Sequence, residues 1–225
     1  MKVCFFACAD GVYTDLIPIY KYCVKRVYPR AEVRVDKINH PACSRFLFNP
    51  KFDYVHITDI DTLVLPHEKS HLEYYSEHVC KGACYLRGFK GKHGKWTGDK
   101  TRICGGQFGA FPEFYEKTKW IRGYFRINHF QNYRQWDEVM LYHILKDGDY
   151  PIPEETYTFP DGENWDKEYR DLHIGDFIKG IHTRWNPDKE KLKTLFEEKE
   201  FKKLVYNLTP KWYSVMESIK NYFMP

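Results

Sequence analysis

No stretch of this 225-residue chain approaches the roughly 18 consecutive apolar residues that a membrane-spanning helix needs. The longest apolar run, Val3 to Ala9, is flanked by polar sequence on both sides. The opening Met1-Lys2-Val3-Cys4-Phe5-Phe6 also lacks the basic stretch, longer apolar region and small-residue cleavage site of a secretory leader, so a cytoplasmic location is expected. The seven cysteines include no C-x-x-C pair, which argues against a structural zinc site and for reduced, mostly buried thiols. There is no internal repeat and no Pro/Gly/Ser-rich linker. Neither sign of charge dominates: 35 Lys+Arg against 31 Asp+Glu leave a net charge of +4, short of the balance of a dedicated nucleic-acid binder.

What is abundant is aromatic surface. Sixteen Phe, 18 Tyr and 6 Trp make 18% of the chain, enough to build a sizeable core and to exclude a disordered tail. Val3 to Ala9 reads as a buried parallel strand ending in the Asp10-Gly11 turn. Leu16 to Val24 has helical spacing with Pro18 early, where its missing N–H is tolerated. Ala31 to Val35 and Phe52 to Thr58 read as two more strands, giving the alternation of an α/β sheet. Further on, Cys104 to Phe111 predicts a strand with glycines at its start, Pro112 to Tyr124 one helix, and Gln135 to Leu145 another. Residues 151–171 read as loop. The division expected is an α/β domain over residues 1–185, with a helical extension over 186–225 packed on it.

Three places carry acids or imidazoles in patterns suited to chemistry. Thr58-Asp59-Ile60-Asp61-Thr62 puts two carboxylates, one residue apart, at the end of the apolar strand Tyr54 to Ile57. Ligands of α/β sheets gather at the carboxyl ends of strands. A divalent ion held with a diphosphate would relieve the repulsion between such acids. The plainer alternative is an exposed turn with two solvated acids. His173-Ile174-Gly175-Asp176-Phe177-Ile178-Lys179-Gly180 offers a third ligand and, six residues on, a diphosphate partner; alone, it would read as a surface loop. Trp136-Asp137-Glu138 opens a helix, where acids either cap the helix or face a substrate from a rigid end.

These residues together resemble the GT-A nucleotide-sugar glycosyltransferases, chiefly the glycogenin-like family 8 and more weakly the blood-group-type family 6, over residues 3–182. Asp59-Ile60-Asp61-Thr62-Leu63-Val64-Leu65 is similar to the family's D-x-D-T-L-V-L segment, and Asp10-Gly11-Val12-Tyr13 to the first-strand loop that holds uracil. Gly105-Gly106-Gln107-Phe108-Gly109 resembles the glycine-rich strand lining the sugar pocket. His173 and Lys179 match H-x-x-G-x-x-K end to end, with the glycine one position early and Gly180-Ile181 in place of Pro-Trp. The compact size also resembles glycan-building domains of bacteria or large DNA viruses.

The resemblance implies a GT-A fold, a Rossmann-like mixed sheet flanked by helices. It implies transfer of a sugar from a UDP-sugar to a glycan or other hydroxyl acceptor, with Mn2+ or Mg2+ on Asp59, Asp61 and His173. Donor contacts would come from Cys8, Ala9, Asp10, Tyr13, Arg45, Asp59, Ile60, Gly105, Gly106, Gln107 and Lys179. Asp137 and Glu138 would be the catalytic carboxylates, the first at the sugar hydroxyls and the second at the reacting carbon. Retention of configuration is favoured by the resemblance, while a carboxylate acting as base would give inversion.

Two other classes use some of the same residues. A metal-dependent phosphohydrolase or nuclease would employ the acids, although it normally has more of them at strand ends. A nucleic-acid or anion-binding module would use residues 87–102, a loop by composition with four glycines, six Lys/Arg and one acid. The modest overall charge speaks against nucleic acid as a partner. Residues 189–225 carry eight Lys against five Glu, with Leu192, Leu195, Phe196, Phe201, Leu204 and Val205 at helical spacing. That is the pattern of a helix packed on a core, a membrane surface being the less favoured partner.

Overall fold

The computed structural model describes residues 1–48, 51–73, 86–89, 106–127, 136–150, 156–159, 171–178 and 187–225. The run at the amino terminus forms β1 (Val3–Ala9), followed by a 3-10 turn (Gly11–Leu16) and α1 (Ile17–Val27) with Pro18 in its first turn. Next come β2 (Glu32–Lys37), α2 (Pro41–Leu47), β3 (Tyr54–Thr58) and the two-residue β4 (Thr62–Leu63). The central sheet has the order β2-β1-β3-β6, where β6 is Gln107–Ala110. β1 runs parallel to both β2 and β3, whereas β6 is antiparallel to β3, with Thr58 opposite Gln107. The architecture is therefore α/β, with a mixed sheet flanked by helices.

Alternation along β1 separates the two faces. Cys4, Phe6 and Cys8 enter one buried cluster, which also takes Phe46 of α2, Phe114 and Tyr115 of α3 (Pro112–Lys117), Ile121 and Phe125 of α4 (Lys119–Ile127), and Met140 and Leu141 of α5 (Trp136–Asp147). Phe5, Ala7 and Ala9 enter the other, with α1 and the carboxyl-terminal helices. Those helices are α7 (Lys189–Glu197), α8 (Lys199–Tyr206) and α9 (Pro210–Phe223). α7 begins where the Asp188 side chain accepts from the backbone N–H groups of Glu190 and Lys191. Trp212, Met216, Ile219 and Phe223 of α9 are buried in the cluster that holds Phe5.

Two sequence expectations are corrected. The single helix expected from Pro112 to Tyr124 is two, divided at Thr118. Its hydroxyl back-bonds to the Phe114 carbonyl at 2.6 Å, alongside the Thr118 N–H, and also receives the Arg122 Nε–H, a side-chain back-bond of the kind that bends helices and that apolar spacing does not register. Within the segments read as loops by composition, β5 (Leu86–Phe89) pairs in parallel with β7 (Thr156–Phe159). Residues 90–102 of the basic loop lie outside the described residues. The other small ribbon pairs β4 antiparallel to β8 (Leu172–His173), which leads into the short α6 (Ile174–Ile178). No described helix is long and apolar enough to cross a membrane.

Candidate active site

The acids sit where the sheet's connectivity puts them. β3 ends at Thr58, and Asp59 stays tied to the sheet because its N–H donates to the Gly106 carbonyl at 3.1 Å. The chain then turns, Thr62 N–H bonding back to the Asp59 carbonyl, and enters β4. Pairing of Thr62 with His173 brings β8 alongside, and Ile174 N–H donates to the Asp61 carbonyl at 2.9 Å. The outcome is a triad from two distant segments: His173 Nε2 lies 3.0 Å from Asp59 Oδ2 and 3.1 Å from Asp61 Oδ1. The three side chains offer ligand atoms within 4.8 Å of one another. Two carboxylates and one imidazole fit a divalent ion that accepts oxygen and nitrogen, Mn2+ better than Mg2+.

Asp61 is the buried member, at 6% exposure. Burial pushes its carboxyl up, but His173 beside it and the Gly175 N–H bond outweigh that and hold it below the usual carboxylate range. Gly175 contributes more than its N–H, which lies 3.0 Å from Asp61 Oδ2. A Cβ there would stand 2.8 Å from Asp61 Oδ2 and 3.1 Å from His173 Cε1, so only glycine lets α6 approach this closely.

Arg45, from the last turn of α2, is 4% exposed and bridges two acids. One guanidinium nitrogen bonds Asp59 and another lies 3.2 Å from Asp137 Oδ2, while Nε has no partner. The triad and the first turn of α5 are thus joined through one cation. Glu138, next to Asp137, is buried at 5%. Tyr13 stands on the 3-10 turn after β1, partly exposed, its backbone N–H bonded to the Asp10 carbonyl. Burial, then Asp61, pushes its phenol pKa upward, so the ring shares the acids' field.

Cys8 and Ala9 are buried at the end of β1, Cys8 with its thiol pushed up to about 12 by burial, and the Ile60 side chain is buried in the α1 cluster. Only backbone atoms of these three remain for a ligand. Gly106 supports Asp59, as described. Gln107 turns inward: its Oε1 meets His56 Nε2 at 3.1 Å, and its Nε2 donates to Asp171 Oδ2 at 3.0 Å. Gly105 and Lys179 lie outside the described residues. Sequence reasoning missed Asp171, His67 and His71, which the fold gathers beside β8, and the packing role of Gly175. An acid two residues before His173 was the available signal.

A cavity of about 710 Å3 opens at the amino ends of β1 and β3, lined by residues including Lys2, Phe5, Tyr28, Arg30 and Tyr54. It lies at the other end of these strands from the triad, where sheet topology does not gather the acids.

No protein-family model matches the chain. No curated protein matches it either. Among solved structures it is similar to the glycosyltransferase GlyE of Streptococcus pneumoniae, at 13% identity and a TM-score of 0.41 over 99% of this chain and 64% of that one. It is also similar to a Drosophila β-1,4-galactosyltransferase 7 in complex with manganese, UDP-Gal and xylobiose, at 12% identity and 0.41 over 88% and 80%. A third is a glycosyltransferase involved in glycosylation of the major capsid of PBCV-1, at 10% identity and 0.42 over 82% and 92%. The chain spans slightly under two thirds of GlyE's length. These neighbours are GT-A glycosyltransferases. At these identities and scores the likeness carries no argument about activity, which rests on the residues above.

Proposed function

We propose that this chain is a metal-dependent glycosyltransferase that moves a sugar from a UDP-sugar to a glycan or other hydroxyl acceptor. The observation that carries the reading is the convergence of Asp59, Asp61 and His173, with Asp59 and His173 114 positions apart in sequence, at the carboxyl end of β3. These three would hold Mn2+ or Mg2+, and the ion when bound neutralises charge on a leaving diphosphate.

The rest is work for the chain's own side chains. Tyr13 would present a ring to the uracil and Asp10 an acceptor to its edge. Arg45, held between Asp59 and Asp137, keeps two acids from repelling each other and aligns the start of α5 with the triad. Asp137 would accept from donor-sugar hydroxyls. Glu138 would face the anomeric carbon, where a carboxylate stabilises positive charge as the bond to the leaving group lengthens. Retention is the favoured outcome.

Calorimetry tests the reading. UDP should bind in the presence of Mn2+ and bind at least tenfold more weakly in EDTA, and Asp61→Ala should abolish sugar transfer while the circular dichroism spectrum stays unchanged. Equal UDP affinity with and without the ion, or full transfer by Asp61→Ala, would reject it.

A further inference from the structure

A second constellation lies under the triad and takes no part in the chemistry proposed above. Asp171 precedes β8, and its carboxylate is 1% exposed. His67 Nε2 lies 3.0 Å from its Oδ1 and His71 Nε2 lies 2.7 Å from its Oδ2; both imidazoles are buried. The Leu65 N–H donates to Oδ1 at 2.8 Å and the Gln107 amide to Oδ2 at 3.0 Å. On the far side of His71, Nδ1 lies 2.5 Å from the Tyr28 hydroxyl, which also accepts the His71 backbone N–H at 2.9 Å.

We propose that His67, His71 and Asp171 form a second divalent-metal site, suited to Zn2+, that fastens the segment after the acidic turn to β8. The donor set is the first reason. Two imidazoles and one carboxylate are a borderline ligand set, unlike the two carboxylates and one imidazole of the outer triad, and three protein ligands leave the fourth tetrahedral position for water or another donor. The surroundings are the second. Metal-bound imidazoles are generally oriented through their other ring nitrogen and metal-bound carboxylates through added donors. Tyr28 stands at His71 Nδ1, and Leu65 and Gln107 stand at the carboxylate.

Charge is the third. A carboxylate this buried requires compensation, and among the described residues no Lys or Arg forms an ion pair with Asp171. The two imidazoles and the Leu65 and Gln107 donors already compensate part of that charge, and a divalent ion between the three side chains would add positive charge there. Ligand atoms around a tetrahedral zinc are about 3.3 Å apart, and the three side chains already offer ligand atoms within 4.8 Å of one another, so small side-chain movements would bring them around one ion. The cysteine spacing argued against zinc, but none of these ligands is a cysteine. The site would place an ion two residues from His173 along β8, so its occupancy would set the stability of the ribbon that carries the third member of the outer triad.

The test separates this ion from the one at Asp59 and Asp61. The wild-type chain and an Asp59→Asn/Asp61→Asn variant are stripped with chelator, reloaded with Zn2+, passed through a desalting column and assayed for metal. The variant is expected to retain about one zinc per chain, and Co2+ in its place should give the visible absorption of tetrahedral cobalt. His67→Gln and Asp171→Asn, introduced into that variant, should each remove the signal. Should those substitutions prevent folding, X-ray absorption of the zinc-loaded double variant decides by itself, with at least two imidazoles expected around the metal. No retained zinc in the double variant, or a first shell lacking imidazole, overturns the proposal. Transferase activity is not a readout here, so failure of this site leaves the reading of the outer triad standing, and the reverse.

Discussion

Gly175 has the most demanding position of any residue near the triad. Its missing side chain lets the α6 backbone lie against Asp61, and a methyl group would meet a carboxylate oxygen at 2.8 Å. Gly175→Ala should therefore displace Asp61 and lower Mn2+ affinity by roughly tenfold or more, as loss of a supporting contact around a metal ligand usually does. Electron paramagnetic resonance of free Mn2+ during a titration measures it; an unchanged affinity would mean that Asp61 can retreat without cost. Asp137 and Glu138 invite a different comparison. If they only cap α5, Asp137→Asn and Glu138→Gln should leave the rate near that of the unaltered protein. If Glu138 meets developing charge on the sugar, Glu138→Gln should keep donor affinity and lose roughly a hundredfold in turnover. Asp137→Asn should in addition weaken donor binding, since it also releases Arg45 from one of its two acids. Turnover and donor affinity measured side by side distinguish these cases. The two aspartates of the D-x-D segment were legible because one residue type at one spacing suffices to suggest an ion. Asp171, His67 and His71 were not, since their meaning comes from burial shared by chain segments 100 and more residues apart.

Among elements, the 3-10 turn carrying Tyr13 owes its position to the last helix. The Trp212 indole N–H of α9 donates to the Val12 carbonyl at 2.8 Å, and its ring meets that of Tyr13 edge-on with centroids 5.2 Å apart. Thr209, at the residue before α9, turns its hydroxyl away from the helix and donates to Asp15 Oδ2 at 3.0 Å. Trp212→Phe keeps most of the buried surface but deletes the donor and leaves the space of the second ring, at a cost of about 2 kcal/mol in stability. If Tyr13 stacks on the base, the looser turn should weaken UDP binding by roughly fivefold and leave Mn2+ binding to the triad untouched. Isothermal titration with each ligand tests that split, and a matching loss for both would show a general loss of structure instead. Elements of this kind were read in unequal measure from sequence. β1, α1 and β3 announced themselves through apolar runs and a well-placed proline, and β2 through alternation. The break at Thr118 depends on a side-chain hydroxyl choosing a backbone carbonyl, and β5 on a partner strand some 70 residues later. The first is a local side-chain bond that apolar spacing does not register, and the second a tertiary pairing that local pattern does not encode.

For the molecule as a whole, the thiols report on both layers of the core at once. Cys4, Cys8 and Cys43 belong to the cluster under α2 and α5, and Cys23 to the cluster under α1 and α9. All four are free and buried. Burial pushes Cys4, Cys8 and Cys43 up to about 12 and raises Cys23 as well, so almost no thiolate exists at neutral pH to attack a reagent. Of the seven cysteines, four are these, which leaves three: Cys80, Cys84 and Cys104. The folded protein should therefore give at most three fast equivalents with an aromatic disulfide reagent at pH 7.5, and all seven after unfolding in guanidinium. The slow equivalents carry further information. Because β1 sends alternate residues into both clusters, the two are expected to open together around that strand. Cys23 should then become reactive at the same denaturant concentration as Cys4 and Cys8, which mass spectrometry of the labelled peptides can resolve. A Cys23 that labels well below the transition of the other two would mean that the helical layer made of α1, α7, α8 and α9 detaches from the sheet as its own unit, with the Tyr13 turn released along with it.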